Sequence, residues 1–184
     1  DIKAKDYMDD NAHFADACNF FLFQGQEVIK PEDLLEQDTS EILSVFGVGT
    51  KEIQIQKWRD LLKNVIIKNT KKCNYVIIGI ENQTDIHYAM PVRNMIYDAI
   101  NYGNQVKEAA RIHKDNKDLK THGEFLSGFL STDRLTPVLT LTIYWGTEPW
   151  DGPRSLHDMI GLAQKDVIRQ YIADYRLNLI VPAE

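Results

Sequence analysis

A chain of 184 residues with 43% apolar, 10% aromatic and 26% charged side chains is long enough to bury one core. That excludes a coiled coil, a disordered tail and a disulfide-stapled mini-protein. Its 21 basic and 27 acidic residues leave a formal net charge of −6, which in bulk argues against a partner as negative as nucleic acid.

The helix that opens the pattern, DDNAHFADACNFFLF, takes Asp10 or Asn11 as its N-cap and carries Phe14, Cys18, Phe21 and Leu22 along one face. A turn near residues 24–26 follows, then short elements punctuated by Pro31 and Asp38-Thr39-Ser40, with a strand predicted around residues 41–46. Ile53 and Ile55 alternate with Gln54 and Gln56. The run Val65-Ile66-Ile67, the polar KNTKK and the run Tyr75-Val76-Ile77-Ile78 predict a hairpin whose second strand is buried on both faces. PVRNMIYDAINYGNQVKEAARIHKDNK reads as a long helix with Pro91 in its first turn. Its predicted buried stripe is Val92, Ile96, Ala99, Val106 and Ala110, with Arg93, Lys107, Arg111 and Lys114 on another face. A loop over residues 120–132 leads to a strand in PVLTLTIYWG, then helical segments at 156–160 and 165–173 and a last strand in YRLNLIV. The order predicts one mixed α/β domain, residues 1–184, on a central sheet.

The charge is not evenly spread. Residues 1–52 carry 4 basic and 12 acidic side chains, residues 53–120 carry 12 and 7, and residues 121–184 carry 5 and 8, so the middle third is basic. The two cysteines, Cys18 and Cys73, lack disulfide-framework or metal-ligand spacing and read as buried thiols of a reducing, cytoplasmic setting. No apolar run reaches the ~20 residues of a membrane span. The chain opens on no leader pattern and without Met, as expected of a trimmed form or fragment.

Centring the hairpin between Thr70 and Lys71 places residue i opposite residue 141 − i, and hence Asp60 opposite Glu81. Opposed side chains stand roughly 4.5–5.5 Å apart at Cβ. Two carboxylates that close call for a cation between them, and a hard divalent ion such as Mg²⁺ suits oxygen donors. Gln83 shares their face. The alternative is a pair of solvated hairpin charges matched by Lys63 or Arg59. Lys57, Arg59, Lys63, Lys68, Lys71 and Lys72 against Asp60 make a patch suited either to a phosphate backbone or to guarding a sheet edge. No Gly-rich phosphate loop and no G-x-S-x-G occurs, and the histidines lack ligand spacing, His87 reading as structural or surface.

The blocks WRDLL, IGIENQ, MPVRNMIYDAINY and PVLTLTIYWGTEPWDGPRSLHDMI, in that order, resemble the recombination-promoting nuclease and transposase (Rpn) family of the PD-(D/E)XK nuclease superfamily. The likeness runs from about Asp6 to Pro182. It implies a restriction-endonuclease-like α/β fold, a central mixed sheet flanked by helices, and a bacterial, intracellular DNA endonuclease dependent on Mg²⁺, with Mn²⁺ or Ca²⁺ as other candidates. The superfamily's Asp and Glu-x-Lys fall on Asp60, Glu81 and Gln83; the amide replaces the lysine's charge and leaves a water-orienting role. Asp60 and Glu81 would be metal ligands, and Asp16 or Glu41 the further acid. Arg93, which matches the family's basic residue early in this helix, would support the site or bind phosphate, and Tyr97 would brace it; the basic hairpin and helix stripe offer Lys63, Lys107 and Arg111 as further phosphate contacts. Homodimers that cut both strands are common in the superfamily, and many family members carry a helical C-terminal extension that this chain lacks. The competing expectation is an inactive DNA-binding or protein-interaction module on the same fold.

Overall fold

Asp10 divides the N-terminal sequence into two helices, α1 (Ile2–Asp9) and α2 (Asn11–Phe23). The computed structural model describes residues 2–36, 40–45, 53–58, 60–69 and 72–183, leaving the side chains of 40–45, 53–58, 68–69 and 72–74 outside the description. The Asp10 carboxylate accepts from Ala12 N at 2.8 Å and His13 N at 3.3 Å, occupying orphan donors of the first turn. Phe14 and Cys18 are fully buried, as the periodicity requires, with Phe21 and Leu22 packed half-buried against the same core. Burial pushes the Cys18 thiol up to about 12. Gln24 (φ 55°) and Gly25 (φ 82°) turn the chain away, and the buried Asn19 amide pins the returning segment through Val28 N, Ile29 N and Ile29 O.

The sheet has five strands in the order β1 (Leu34–Glu36), β4 (Leu61–Asn69), β5 (Lys72–Gln83), β6 (Val138–Tyr144) and β7 (Asn178–Ile180). The first two pairings are antiparallel and the last two parallel. A separate ribbon pairs β2 (Ser40–Val45) with β3 (Ile53–Trp58). The hairpin register is the expected one: Leu61 stands opposite Ile80, Val65 opposite Val76 and Asn69 opposite Lys72. Because β5 has a neighbour on each side and helices on both faces, Ile77, Ile78 and Ile80 are all buried without alternation.

One face of the sheet, with Leu61, Val65, Ile78, Ile80, Leu141 and Ile143, packs on α1 and α2. The other carries Leu62, Ile77 and Val138 and is covered by α3 (Met90–Asn116), the crossover that parallel strands β5 and β6 require.

The face α3 presents to the sheet is not the predicted one. Val92, Ile96, Val106 and Ala110 are only half-buried and Ala99 is exposed, whereas Asn94, Tyr97, Asp98, Ile100 and Asn101 are buried. The reason is a polar seam: Asn94 Nδ2 donates to Thr142 Oγ1 at 2.8 Å, and Asp98 accepts from Thr140 Oγ1 and Tyr175 OH at 2.6 Å each. Gln105 completes it on the backbone of Thr136, at 2.7 and 3.1 Å. Polar groups hydrogen-bonded across to β6 and Tyr175 take the place of an apolar stripe, with Asn94 Oδ1 left buried and without a hydrogen-bond partner.

The predicted loop over 120–132 contains α4 (His122–Ser127), closed by a reciprocal Thr121–Glu124 capping box. After β6, α5 (Leu156–Met159) forms on a second such box between Ser155 and Asp158, and the expected helix at 165–173 is a 3₁₀ turn over Val167–Tyr171. No helix among the described residues is long and apolar enough to cross a membrane.

Candidate active site

Asp60 immediately precedes β4, and Glu81 lies near the end of β5 with Ile80 paired to Leu61, so the two acids occupy the next register position at one end of the sheet. Their contact is reciprocal: Asp60 N lies 3.4 Å from Glu81 Oε1, and Asn82 N donates to Asp60 Oδ2 at 2.8 Å. Each strand's backbone therefore holds the other strand's carboxylate. Glu81 is wholly buried, and Asp60 is half-buried.

A buried carboxylate needs a counter-charge, and α3 supplies it. Arg93, in the first turn, places Nη2 3.0 Å from Glu81 Oε2. Its Nε donates to Tyr97 OH at 3.2 Å, and its guanidinium lies 5.8 Å from the Tyr97 ring centroid. Burial works against the Arg93 charge, but Glu81, the Tyr97 bond and Asp60 outweigh it and hold its pKa above the ordinary value. Tyr97 is 2% exposed, so the hydroxyl that takes Arg93 Nε sits on a buried side chain.

Gln83 is half-buried on the same strand face as Glu81, and its Nε2 donates to Asn82 O at 2.9 Å. Asn82 points to the opposite face, where its Oδ1 accepts from Trp145 Nε1 at 2.9 Å. Sequence reasoning passed over Asn82 because a side-chain pattern does not show that a backbone N–H is what holds Asp60. It also missed Asn94 and Thr142, although Thr142 pairs in register with Glu81 and Asn94 follows Arg93. His87 is structural, its Nδ1 accepting from Ala89 N at 3.3 Å before α3.

Several expected site residues lie elsewhere. Lys63 is not a phosphate ligand: it is 1% exposed, and its ammonium donates to Asp9 O at 2.6 Å and Asn11 Oδ1 at 2.7 Å. Strand alternation turns it inward with Leu61 and Val65, over the Phe14 ring at 5.2 Å. Asp16 is exposed on α2 and lines a cleft with Ala12, Asn19, Glu27 and Lys30 whose walls include neither Asp60 nor Glu81. The side chains of Glu41, Lys57, Arg59, Lys68, Lys71, Lys72 and Cys73 lie outside the described residues.

Lys107 and Arg111 are exposed on α3, about 21 and 27 Å along the helix from Arg93. Arg111 is already engaged, by Glu108 at 2.6 and 2.8 Å and by Asp115 at 3.1 Å. The stripe is thus remote from the carboxylates and partly neutralised.

Among the described residues no group of three or more His, Cys, Asp or Glu side chains gathers to hold a metal ion. The donor set at the sheet end is two carboxylates with an amide nearby. That suits a cation which keeps most of its waters, as Mg²⁺ does, rather than one caged by protein. A cleft of about 600 Å³, lined by Phe23, Glu27, Lys30 and Ile67 among others, includes none of these residues. No family model, curated protein or solved structure matches the chain.

Proposed function

We propose that the chain is a divalent-metal-dependent DNA endonuclease of the PD-(D/E)XK class, of the Rpn type that its sequence blocks resemble. The observation that carries this reading is the opposition of Asp60 and Glu81 across the β4–β5 register, with Arg93 against the buried carboxylate. Topology supports it: an antiparallel pair bearing the acids is followed by a helix and a parallel strand, on a mixed sheet with helices on both faces.

Asp60 and Glu81 would hold the cation, Mg²⁺ with Mn²⁺ or Ca²⁺ as alternatives, which when bound supplies an acidified water and charge neutralisation at the phosphate. Asp60 is held for this by Asn82 N. Gln83 offers an amide that accepts from and donates to a water but carries no charge. Arg93 offers a planar, always protonated donor fork to a phosphodiester oxygen, with Tyr97 fixing its Nε. DNA is the substrate, and a second copy of the chain would cut the second strand.

Plasmid nicking in Mg²⁺, Mn²⁺ or Ca²⁺ tests this directly. Asp60→Asn and Glu81→Gln should each lower the rate by about 100-fold or more, as expected where electrostatic stabilisation at the reacting phosphate is lost. Cleavage that survives either substitution refutes the assignment. A second reading, an inactive nuclease-fold module that binds DNA or protein, draws on one observation: Glu81 already has a cationic partner in Arg93. A wild-type melting temperature indifferent to Mg²⁺ and Mn²⁺ would favour it.

A further inference from the structure

Glu81 Oε2 faces the Arg93 guanidinium at 3.0 Å in a position with no solvent exposure. Mg²⁺ binds oxygen donors at about 2.1 Å and Ca²⁺ at about 2.3–2.6 Å. Guanidinium and cation on that same oxygen would be like charges a few ångströms apart in a poorly solvated place, where repulsion is strong. The charge balance points the same way. With both acids ionised, Asp60, Glu81 and Arg93 leave one negative charge; a divalent ion added to the three leaves one positive, and added to the two acids alone it leaves none. Arg93 also has somewhere to go. Its side chain is 33% exposed, whereas Tyr97, which takes its Nε, is 2% exposed and fixed in the α3–sheet interface.

We infer that Arg93 is a displaceable resident counter-ion of Glu81: cation binding expels its guanidinium from the carboxylate, and the expelled fork, pivoting on Tyr97, becomes the docking group for a phosphodiester. The inference rests on the proposed metal site and adds to it a coupling between the two ligands. Without phosphate the cation must release an unpartnered arginine, and with phosphate that arginine has a partner. Metal and DNA then favour one another, reciprocally and through Arg93.

Mn²⁺ titration calorimetry of the whole chain, without DNA, separates these statements. Arg93→Gln should bind Mn²⁺ on the order of tenfold more tightly than wild type, because the competing charge is gone, and Arg93→Lys should fall between them. A short DNA duplex should raise the Mn²⁺ affinity of wild type and leave that of Arg93→Gln unchanged. An Arg93→Gln protein that binds Mn²⁺ no more tightly than wild type overturns the inference while Glu81→Gln still abolishes binding. If Glu81→Gln binds as wild type does, the metal site itself is wrong. Should Arg93→Gln be unfolded without metal, thermal melting decides: recovery of a cooperative transition on adding Mn²⁺ supports displacement, and absence of recovery refutes it.

Discussion

Replacing Lys63 by alanine should destabilise the fold by about 2–5 kcal/mol, the range for truncating a long buried side chain to alanine. The side chain is 1% exposed, and its ammonium satisfies two acceptors, Asp9 O at 2.6 Å and Asn11 Oδ1 at 2.7 Å. Hydrogen bonds to a charged group contribute about 1.5–3 kcal/mol each. The buried stem adds about 0.8 kcal/mol per methylene. Desolvation of the ammonium offsets part of both. The ion pair with Asp9 Oδ1 at 4.0 Å adds little, because that carboxylate is 58% exposed. Lys63→Met keeps the stem and loses the ammonium, so about half of the loss should remain. Urea denaturation gives both numbers, and against the ~5–15 kcal/mol of an ordinary domain the alanine change is large. A Lys63→Ala protein within about 0.5 kcal/mol of wild type, with DNA affinity lowered instead, would show that the lysine serves the ligand and not the fold.

His113 bridges Asp118 at 2.9 Å through Nδ1 and Asp133 at 2.9 Å through Nε2. The Asp118 bond, against some burial and with the aid of Asp133, raises its pKa above 6.5. Stability from this clasp should be full below about pH 6.5 and fall as pH rises through the higher folded value; melting temperatures should show that slope in wild type and lose it in His113→Gln. Asp98→Ala removes two buried hydrogen bonds to a carboxylate, from the Thr140 and Tyr175 hydroxyls at 2.6 Å each, and should cost about 2–4 kcal/mol by denaturation, with Asp98→Asn nearer 1–2. If DNA lies along α3, Arg111→Ala should reduce the slope of log K against log salt by much less than about 1, because Glu108 and Asp115 already hold that guanidinium. A reduction of about 1 would refute this. Gly128→Ala should cost more than about 1 kcal/mol, since φ is 68° and a Cβ would stand 2.5 Å from that of Ala110.

The parts of the fold legible in the sequence were those where side-chain pattern and backbone geometry agree. A polar KNTKK between two β-branched runs fixes the hairpin centre, and with it the pairing of Leu61 with Ile80 and the opposition of Asp60 to Glu81. Asp10 before an apolar stripe fixes the start of α2. T-H-G-E at Thr121 to Glu124 is equally a capping box, and α4 could have been read from it. The buried face of α3 could not be read from apolar periodicity, because Asn94 and Asp98 are among its core positions and their partners Thr140, Thr142 and Tyr175 lie some forty or more residues further along the chain. Lys63 failed for the same reason. An ammonium is expected at the surface unless oxygen acceptors from distant elements meet it inside, and those acceptors are on residues 9 and 11.

The same commitments alter what the charge of the middle third means. Twelve basic residues lie between positions 53 and 120, against seven acidic ones, and counted by sequence they form a field for a phosphate backbone. Lys63 spends its charge inside the protein, Arg93 on Glu81 and Arg111 on Glu108 and Asp115. A group already paired releases little when a phosphate replaces its partner, so the three add less to affinity than three free lysines would. DNA binding by this chain should therefore depend on the bound cation more steeply than its basic count implies. On the proposed displacement, Arg93 would make the dependence explicit, becoming available to a phosphate only once something else neutralises Glu81. Duplex affinity measured with and without Mn²⁺ should differ strongly in wild type and little in Glu81→Gln, and a wild-type affinity indifferent to the metal would contradict this account.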